Sequence, residues 1–123
     1  MTASAPQTND WALILGASSG FGEATAVELA RLGMNIAGVH FDRKATMPHV
    51  EEVKGRITAH GREALFFNAN AADADKRREI LDELEKKLKE TSPPGTVRVL
   101  FHSLAFGTLK RYVGEKPEDG VDQ

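Results

Sequence analysis

The chain has 123 residues, of which 41% are hydrophobic and 28% are charged, a composition typical of one globular domain. Sixteen Lys and Arg residues stand against eighteen Asp and Glu residues, and the formal net charge of −2 leaves no basic excess for nucleic-acid phosphates. The absence of cysteine excludes disulfides, Cys-based metal sites and thiol nucleophiles. No apolar run reaches the roughly 18 residues of a membrane span. We therefore expect a soluble, cytoplasmic protein with no nucleic-acid or membrane partner.

Apolar runs and amphipathic segments alternate along the chain. Residues 1–10 are rich in Ser, Thr, Pro and Asn and predict a disordered lead. The apolar runs predict four buried strands, at residues 11–15, 35–41, 64–67 and 97–102. The segments between them predict three helices, at residues 23–32, 46–61 and 73–90. Because helices separate the strands, we expect an α/β fold: a doubly wound parallel sheet of the Rossmann type, with strand order 3-2-1-4.

Local patterns predict the starts of two helices and one buried face. Thr46 followed by Pro48 is typical of an N-cap and a first helical turn, and Asp73 or Asp75 is expected to open the third helix. The apolar face of the third helix is expected to be buried and consists of Ile80, Leu81, Leu84 and Leu88. Residues 114–123 are polar and aperiodic, and we interpret them as a polar tail or a truncation point.

The strongest motif is a glycine-rich turn, GASSGFG at residues 16–22, between the first predicted strand and the first predicted helix. Its first glycine lets the chain turn sharply, its second leaves room for a pyrophosphate, and its third lets the helix lie close to the sheet. The helix N-terminus adds N–H groups and a partial positive charge, while the two serines add hydroxyl donors or cap the helix. We predict a nucleotide-binding turn, rather than a plain glycine-rich turn, formed by Gly16, Ser18, Ser19, Gly20, Phe21 and Gly22. No lysine follows it as a P-loop requires.

The spacing G-x-x-x-G-x-G after a first strand resembles the cofactor turn of the short-chain dehydrogenase/reductase family. The resemblance implies that residues 11–113 are the NAD(P)-binding Rossmann half of such a protein. Asn70 and Ala71 stand where the family has an Asp-Val pair at the adenine, so the resemblance implies that these two residues contact the adenine. The alternative is that Asn70 is only a turn residue.

The residues after the fourth predicted strand, HSLAF at 102–106, are similar to the enoyl-acyl-carrier-protein reductase branch of the family. This resemblance implies that the backbone of Ser103, Leu104 and Ala105 lines the cofactor ribose and nicotinamide. The alternative is a strand end that turns into a loop, with His102 as a core histidine.

The family's catalytic tyrosine and lysine lie on a later helix. Tyr112 and Lys116 have the literal spacing Tyr-x-x-x-Lys, but Gly114 and Pro117 make this poor helix sequence, and the pair lies too close to the fourth strand. We therefore assign no catalytic residue to this chain. Family members are roughly twice as long, which implies that a C-terminal half of the same protein carries the catalytic pair.

The resemblance implies an NAD(P)-dependent oxidoreductase of a small-molecule or carrier-linked acyl substrate, and a homo-oligomer. Residues 102–106 favour reduction of the double bond of an enoyl thioester, as in fatty acid biosynthesis. Two alternatives stay open. One is a reductase of ketones or 3-oxoacyl thioesters in the same family. The other is a non-catalytic nucleotide-binding regulator.

The end of the second strand bears on the choice between NAD and NADP. His40 stands where the family usually has an acid, and Asp42, Arg43 and Lys44 follow it. If Asp42 reaches the ribose, it selects NAD. If Asp42 points outward, Arg43, Lys44 and His40 can contact a 2′-phosphate. Two cations beside one anion favour NADP, with His40 and Arg43 as candidate cofactor-binding residues. The alternative is that Arg43 and Lys44 are ordinary residues of the loop before Thr46, with no part in cofactor binding.

Overall fold

The structure is a computed structural model and describes residues 9–103. The strands are β1 (Asp10–Leu15), β2 (Asn35–His40), β3 (Ala64–Asn68) and β4 (Thr96–His102), and the helices are α1 (Gly20–Arg31), α2 (Met47–Thr58), α3 (Ala74–Leu88) and a short 3-10 helix at Lys44–Thr46. The lead before residue 9, the predicted binding residues Leu104 and Ala105, and the predicted tail at 114–123 lie outside the described residues. No helix within residues 9–103 is long and apolar enough to span a membrane.

The four strands form one sheet in the order β3-β2-β1-β4, and every neighbouring pair is parallel. This confirms the predicted α/β fold and its strand order. In the register of the sheet, Leu15 lies opposite Val39 on one side and His102 on the other. His40 lies opposite Asn68. The carboxyl ends of the strands therefore meet at one edge of the sheet, beside the turn that leads into α1.

Alternate strand residues divide the core between the two faces of the sheet. On one face, α1 and α2 cover a buried cluster that includes Ala12, Ile14, Ala26, Ala30, Ile36, Val53 and Ile57. On the other face, Leu84 of α3 packs with Trp11 and Ala37. Each fully buried Val, Leu or Ile side chain of these clusters contributes about 1.5–3 kcal/mol through removal from water.

The face that carries α3 is only partly covered within residues 9–103. Leu100 of β4 is 66% exposed and Leu81 of α3 is 56% exposed. The prediction that Leu81 belongs to the buried face of α3 is therefore wrong, although Ile80 and Leu84 of that face are buried. Leu81 lies on the side of α3 toward β4, where no described helix packs beside it, so its burial depends on neighbours that the periodicity of α3 does not reveal.

The helix starts differ from the predictions in ways that bear on the site. α1 begins at Gly20 rather than at residue 23, so the last two glycines of the turn lie in the first turn of the helix. Asp73 caps α3 by accepting the N–H groups of Asp75 and Lys76. Thr46 immediately precedes α2 as predicted, but its side chain makes no capping hydrogen bond, because the residue ends a 3-10 turn with a helical backbone instead of an extended one.

Candidate functional site

The glycine-rich turn is bound to the neighbouring strand β2. The N–H groups of Gly16 and Ala17 both donate to the carbonyl oxygen of Val39, at 2.8 and 3.0 Å. Gly16 has a φ of 91°, in the left-handed region that favours glycine, which lets the chain leave β1 and fold back over β2 at once. The turn therefore lies at the carboxyl ends of β1 and β2, as the sequence predicts.

The other two glycines of the turn have different surroundings. A Cβ atom on Gly22 would lie 1.7 Å from the carbonyl oxygen of Gly16, so only glycine lets α1 approach the turn this closely. Among residues 9–103, a Cβ atom on Gly20 would meet nothing within 4 Å, and Gly20 has a φ of 60°. Open space therefore lies at the N-terminus of α1, where the first N–H groups of a helix have no partner within the helix. Space, N–H donors and helix dipole together fit a diphosphate group.

Neither serine of the turn caps α1. Ser19 occupies the N-cap position with an extended backbone, but its side chain is exposed and makes no capping hydrogen bond. The Ser18 hydroxyl donates to Oδ1 of Asp42 at 2.7 Å. Phe21, the remaining predicted binding residue of the turn, is 80% exposed. The turn thus presents the Ser19 hydroxyl and one aromatic ring to its surroundings, while Ser18 is engaged with the end of β2.

Asp42 is the centre of a hydrogen-bond network at the end of β2. Its Oδ1 accepts the Ser18 hydroxyl and lies 3.0 Å from Nδ1 of His40. The Thr46 hydroxyl donates to Oδ2 of Asp42 at 2.8 Å and also lies 3.0 Å from the carbonyl oxygen of Arg43. The glycine turn, β2 and the 3-10 helix therefore each contribute a partner to one carboxylate.

Asn68, at the end of β3, holds the backbone of the same residue. Its Oδ1 accepts the N–H of Asp42 at 2.9 Å, and its Nδ2 donates to the carbonyl oxygen of Asp42 at 3.1 Å. The Asn68 amide thus forms two hydrogen bonds of the kind that a neighbouring strand would form, after β2 has ended at His40. No role for Asn68 is predicted from the sequence. The only signal there is a polar residue at the end of a predicted strand.

The surroundings of Asp42 keep it ionised. Partial burial by itself raises the pKa of this carboxyl, but the hydrogen bonds from Ser18, Thr46 and His40 outweigh it, and the pKa of Asp42 lies below its ordinary value of 3.8. A full negative charge therefore sits beside the glycine turn at neutral pH.

The two neighbouring cations differ from Asp42 in their exposure. Arg43 and Lys44 are exposed, whereas the Asp42 side chain is only 15% exposed. His40 is 3% exposed and faces Asp42 through Nδ1. Asp42 therefore points inward, and the arrangement with an outward Asp42, on which the predicted choice of NADP rested, is not the one in the structure.

The predicted adenine residues lie in the turn after β3. Oδ1 of Asn70 accepts the N–H of Ala72 at 2.9 Å, and its carbonyl oxygen accepts the N–H of Asp73. These bonds agree with the alternative in which Asn70 shapes the turn, because its side-chain oxygen already accepts a hydrogen bond within that turn. Ala71 lines an apolar cavity of about 340 Å³ between α3 and β4, together with Leu13, Leu15, Val39, Arg77, Ile80, Leu81, Leu100 and His102.

Ser103 leaves β4 beside the glycine turn, since its N–H donates to the carbonyl oxygen of Leu15 at 2.7 Å. His102 is exposed, so it is not the core histidine of the alternative interpretation. The structure thus brings the glycine turn, the Asp42 network and Ser103 to one edge of the sheet. Asn70 and Ala71 follow β3 at the same edge. This arrangement defines the class of the chain: a Rossmann-type α/β fold with a glycine turn at the N-terminus of its first helix.

Comparison with known proteins identifies the family within that class. Residues 10–107 match the family model of the short chain dehydrogenases, and the chain belongs to that family. The 3-oxoacyl-[acyl-carrier-protein] reductase FabG of Staphylococcus epidermidis is 36% identical over 117 residues, which cover 93% of this chain and 44% of that protein. The corresponding reductase of Synechocystis is 42% identical over 64 residues, which cover 52% of this chain and 25% of that protein. The chain thus spans less than half the length of these relatives.

Solved structures agree with the family assignment. A short-chain dehydrogenase/reductase from Serratia marcescens superposes with a TM-score of 0.68 at 23% identity, over 93% of this chain and 43% of that one, a likeness of fold alone. The reductase LugOII, described as catalysing a keto-reduction, superposes with a TM-score of 0.63 at 32% identity, over 79% of this chain and 38% of that one. These relatives give no specific support to the predicted enoyl-reductase branch.

Proposed function

We propose that this chain is the cofactor-binding half of an NAD(P)-dependent reductase of ketones or 3-oxoacyl thioesters. The observation that carries the proposal is the open space at Gly20, directly over the N-terminus of α1, in a chain related to 3-oxoacyl reductases. This replaces the enoyl reduction favoured by residues 102–106, because the relatives whose names state a reaction are 3-oxoacyl reductases and a keto-reductase.

The residues of this chain bind and orient the cofactor in this proposal. The first N–H groups of α1 and the Ser19 hydroxyl donate to the diphosphate over Gly20. The backbone at Ser103 lies beside the turn and lines the nicotinamide side of the site. When bound, the nicotinamide supplies the hydride. The proton donor and the residues that bind a carrier-linked substrate belong to the part of the protein beyond this chain.

We further propose that the cofactor is NAD(H). An ionised carboxylate has about four sites that accept hydrogen bonds, and Ser18, His40 and Thr46 use three of those on Asp42. One site on Oδ2 remains for a ribose hydroxyl. A 2′-phosphate at the same place would bring two negative charges together, and the Ser18 hydroxyl that could bind it is engaged with Asp42. Arg43 and Lys44 then remain exposed and have no role in cofactor choice.

The incomplete cover of β4 supports a C-terminal half that completes the protein. Within residues 9–103, β4 pairs only with β1, and Leu100 and Leu81 expose apolar surface around the cavity beside α3. A sheet edge and an apolar face of this kind are liabilities unless other parts of the protein cover them. We propose that the C-terminal half covers them, and that the complete protein is a cytoplasmic homo-oligomer.

A matched pair of substrates tests the reaction. The complete protein is mixed with NADH or NADPH and with either acetoacetyl-CoA, which has a 3-oxo group, or crotonyl-CoA, which has only the double bond. We expect loss of the dihydronicotinamide absorbance with acetoacetyl-CoA and none with crotonyl-CoA. Turnover of crotonyl-CoA without turnover of acetoacetyl-CoA would instead support the enoyl reduction favoured by residues 102–106. Cofactor binding without turnover of either thioester or of simple ketones would favour a non-catalytic regulator.

A further inference from the structure

We propose that His40 is a positioning residue that sets the choice of cofactor by holding the Asp42 carboxylate against Ser18. This inference rests on the proposed function, since it concerns how the chain distinguishes NAD from NADP. The family position for a ribose-binding acid is occupied by His40, and the acid itself stands two residues later. The two residues therefore share one role, in which Asp42 carries the charge and His40 orients it.

The His40–Asp42 hydrogen bond has a defined direction. An ionised carboxylate only accepts, so the contact of 3.0 Å between Nδ1 and Oδ1 places a proton on Nδ1 of His40. The His40 side chain is 2% exposed, so water does not compete effectively for this proton. Both Nδ1 of His40 and the Ser18 hydroxyl donate to the same oxygen, which fixes the rotation of the carboxylate about its last bond.

The imidazole of His40 is itself held in place by packing. Its ring centre lies 5.9 Å from that of Phe66 on β3, at an interplanar angle of 47°. Phe66 reaches this place because Gly38 has no side chain: a Cβ atom there would lie 2.8 Å from the Phe66 ring and 2.8 Å from Cβ of Ala17. Packing on β2 and β3 therefore positions His40, and His40 positions Asp42.

Removal of the Nδ1 donor would release the Asp42 carboxylate. Asp42 would lose one of the two bonds that fix Oδ1, and its carboxylate could rotate away from Ser18. The Ser18 hydroxyl would become available to an incoming phosphate, and the negative charge would move away from the ribose. Both changes act in the same direction, against NAD and toward NADP. A merely structural role for His40 would weaken the binding of the two cofactors alike.

Two variants separate the donor from the ring. His40→Phe keeps a ring to pack on Phe66 and removes Nδ1. His40→Asn loses the ring but keeps an N–H donor, because its amide nitrogen is bonded to Cγ just as Nδ1 is in histidine. The probes are ADP-ribose and 2′-phospho-ADP-ribose, measured by titration calorimetry with the complete protein, so that binding is read independently of turnover. Thermal melting of each variant reports the cost to stability separately.

We expect wild type to prefer ADP-ribose. In His40→Phe, the dissociation constant of ADP-ribose should rise about tenfold, while that of 2′-phospho-ADP-ribose stays the same or falls. The reason is that the charge-assisted hydrogen bond between Asp42 and the ribose is lost only from the complex with ADP-ribose. His40→Asn should restore the preference for ADP-ribose even if it melts at a lower temperature.

Three results would overturn the inference. Unchanged preference in His40→Phe would show that Ser18 and Thr46 suffice to hold Asp42. Loss of preference in His40→Asn, with the preference kept in His40→Phe, would show that ring packing, not the Nδ1 donor, matters. If wild type bound neither probe, the proposed cofactor site would fail and this inference with it, and that outcome differs from the first two because no variant is needed to see it.

Discussion

The carbonyl oxygen of Gly16 lies 1.7 Å from the point that a Cβ atom on Gly22 would occupy, and its carbonyl carbon lies 2.7 Å from that point. The neighbour is backbone, and Gly16 is itself fixed by its hydrogen bond to Val39. Neither partner can yield without moving α1 off the turn. The third glycine of the motif is therefore required by packing within the protein, before any ligand is considered.

Gly22→Ala is expected to destabilise the fold by about 1–3 kcal/mol, because the added methyl group overpacks a contact between α1 and the glycine turn. The free energy of unfolding in urea measures this effect. Gly55→Ala is the matched control: Gly55 lies inside α2, and a Cβ atom there meets nothing within 4 Å in the described part of the chain. The control should stabilise the protein by about 0.5–1 kcal/mol through helix propensity. Equal effects of the two variants would contradict the packing argument.

Gly20→Val is expected to weaken cofactor binding strongly, because a branched side chain would fill the open space over α1. The positive φ of Gly20 adds a stability cost of about 1–2 kcal/mol for a residue with a Cβ atom. Fluorescence titration with NADH and urea unfolding separate the two effects.

Gly61→Val is the control for that backbone cost. Gly61 has a φ of 77°, and none of the described residues has an atom within 4 Å of its Cβ position. It precedes β3, at the opposite edge of the sheet from the glycine turn. It should lower stability to a similar degree and leave the dissociation constant of NADH unchanged. If both variants bind NADH as wild type does, the diphosphate does not lie over Gly20.

Asp42→Asn is expected to weaken NADH binding by about tenfold and to improve NADPH binding, because it removes the negative charge that Ser18, His40 and Thr46 hold beside the ribose site. Arg43→Ala should leave both dissociation constants unchanged. Titration of each variant with both cofactors checks this. The opposite pattern, with loss of NADPH binding in Arg43→Ala and no effect of Asp42→Asn, would restore the choice of NADP predicted from the sequence.

A cluster between α1 and α2 predicts a dependence of stability on pH. Glu23 in the first turn of α1 accepts a hydrogen bond at 2.7 Å from Nε2 of His49 and another at 3.1 Å from Arg56, both on α2. The hydrogen bond with Glu23 and the charge of Glu23 raise the pKa of His49 above 6.5, with a smaller contribution from Glu52.

Because the pKa of His49 is raised in the folded state, the stability that protonated His49 contributes beside Glu23 is fully present below pH 6.5. That stability is lost as the pH rises through the higher pKa of the folded state. We expect the urea concentration at the unfolding midpoint to decrease as the pH rises above 6.5. The part of this decrease that His49 causes should be absent in His49→Gln. Glu52→Gln should leave most of the pH dependence in place, since Glu52 contributes less. A wild-type midpoint that does not change over this range would exclude the contribution of His49.

The order of strands and helices follows from the sequence because it depends on local periodicity. Continuous apolar runs such as residues 11–15, separated by amphipathic segments, define buried parallel strands with crossover helices, and the strand order 3-2-1-4 follows from the Rossmann pattern. The position of the glycine turn is equally local, because glycines at 16, 20 and 22 lie between a strand and a helix. The same glycines also carried the family resemblance.

The orientation of Asp42 was decided by the tertiary structure. Its hydrogen-bond partners Ser18 and Asn68 lie 24 and 26 residues away in the sequence, on the turn after β1 and at the end of β3. From the sequence alone, the count of two cations beside one anion points to NADP, whereas the fold partly buries the anion among hydrogen-bond donors and leaves Arg43 and Lys44 exposed. The exposure of Leu81 has the same cause. Periodicity identifies the apolar residues of a helix, but only the packing of distant elements determines which of them are covered.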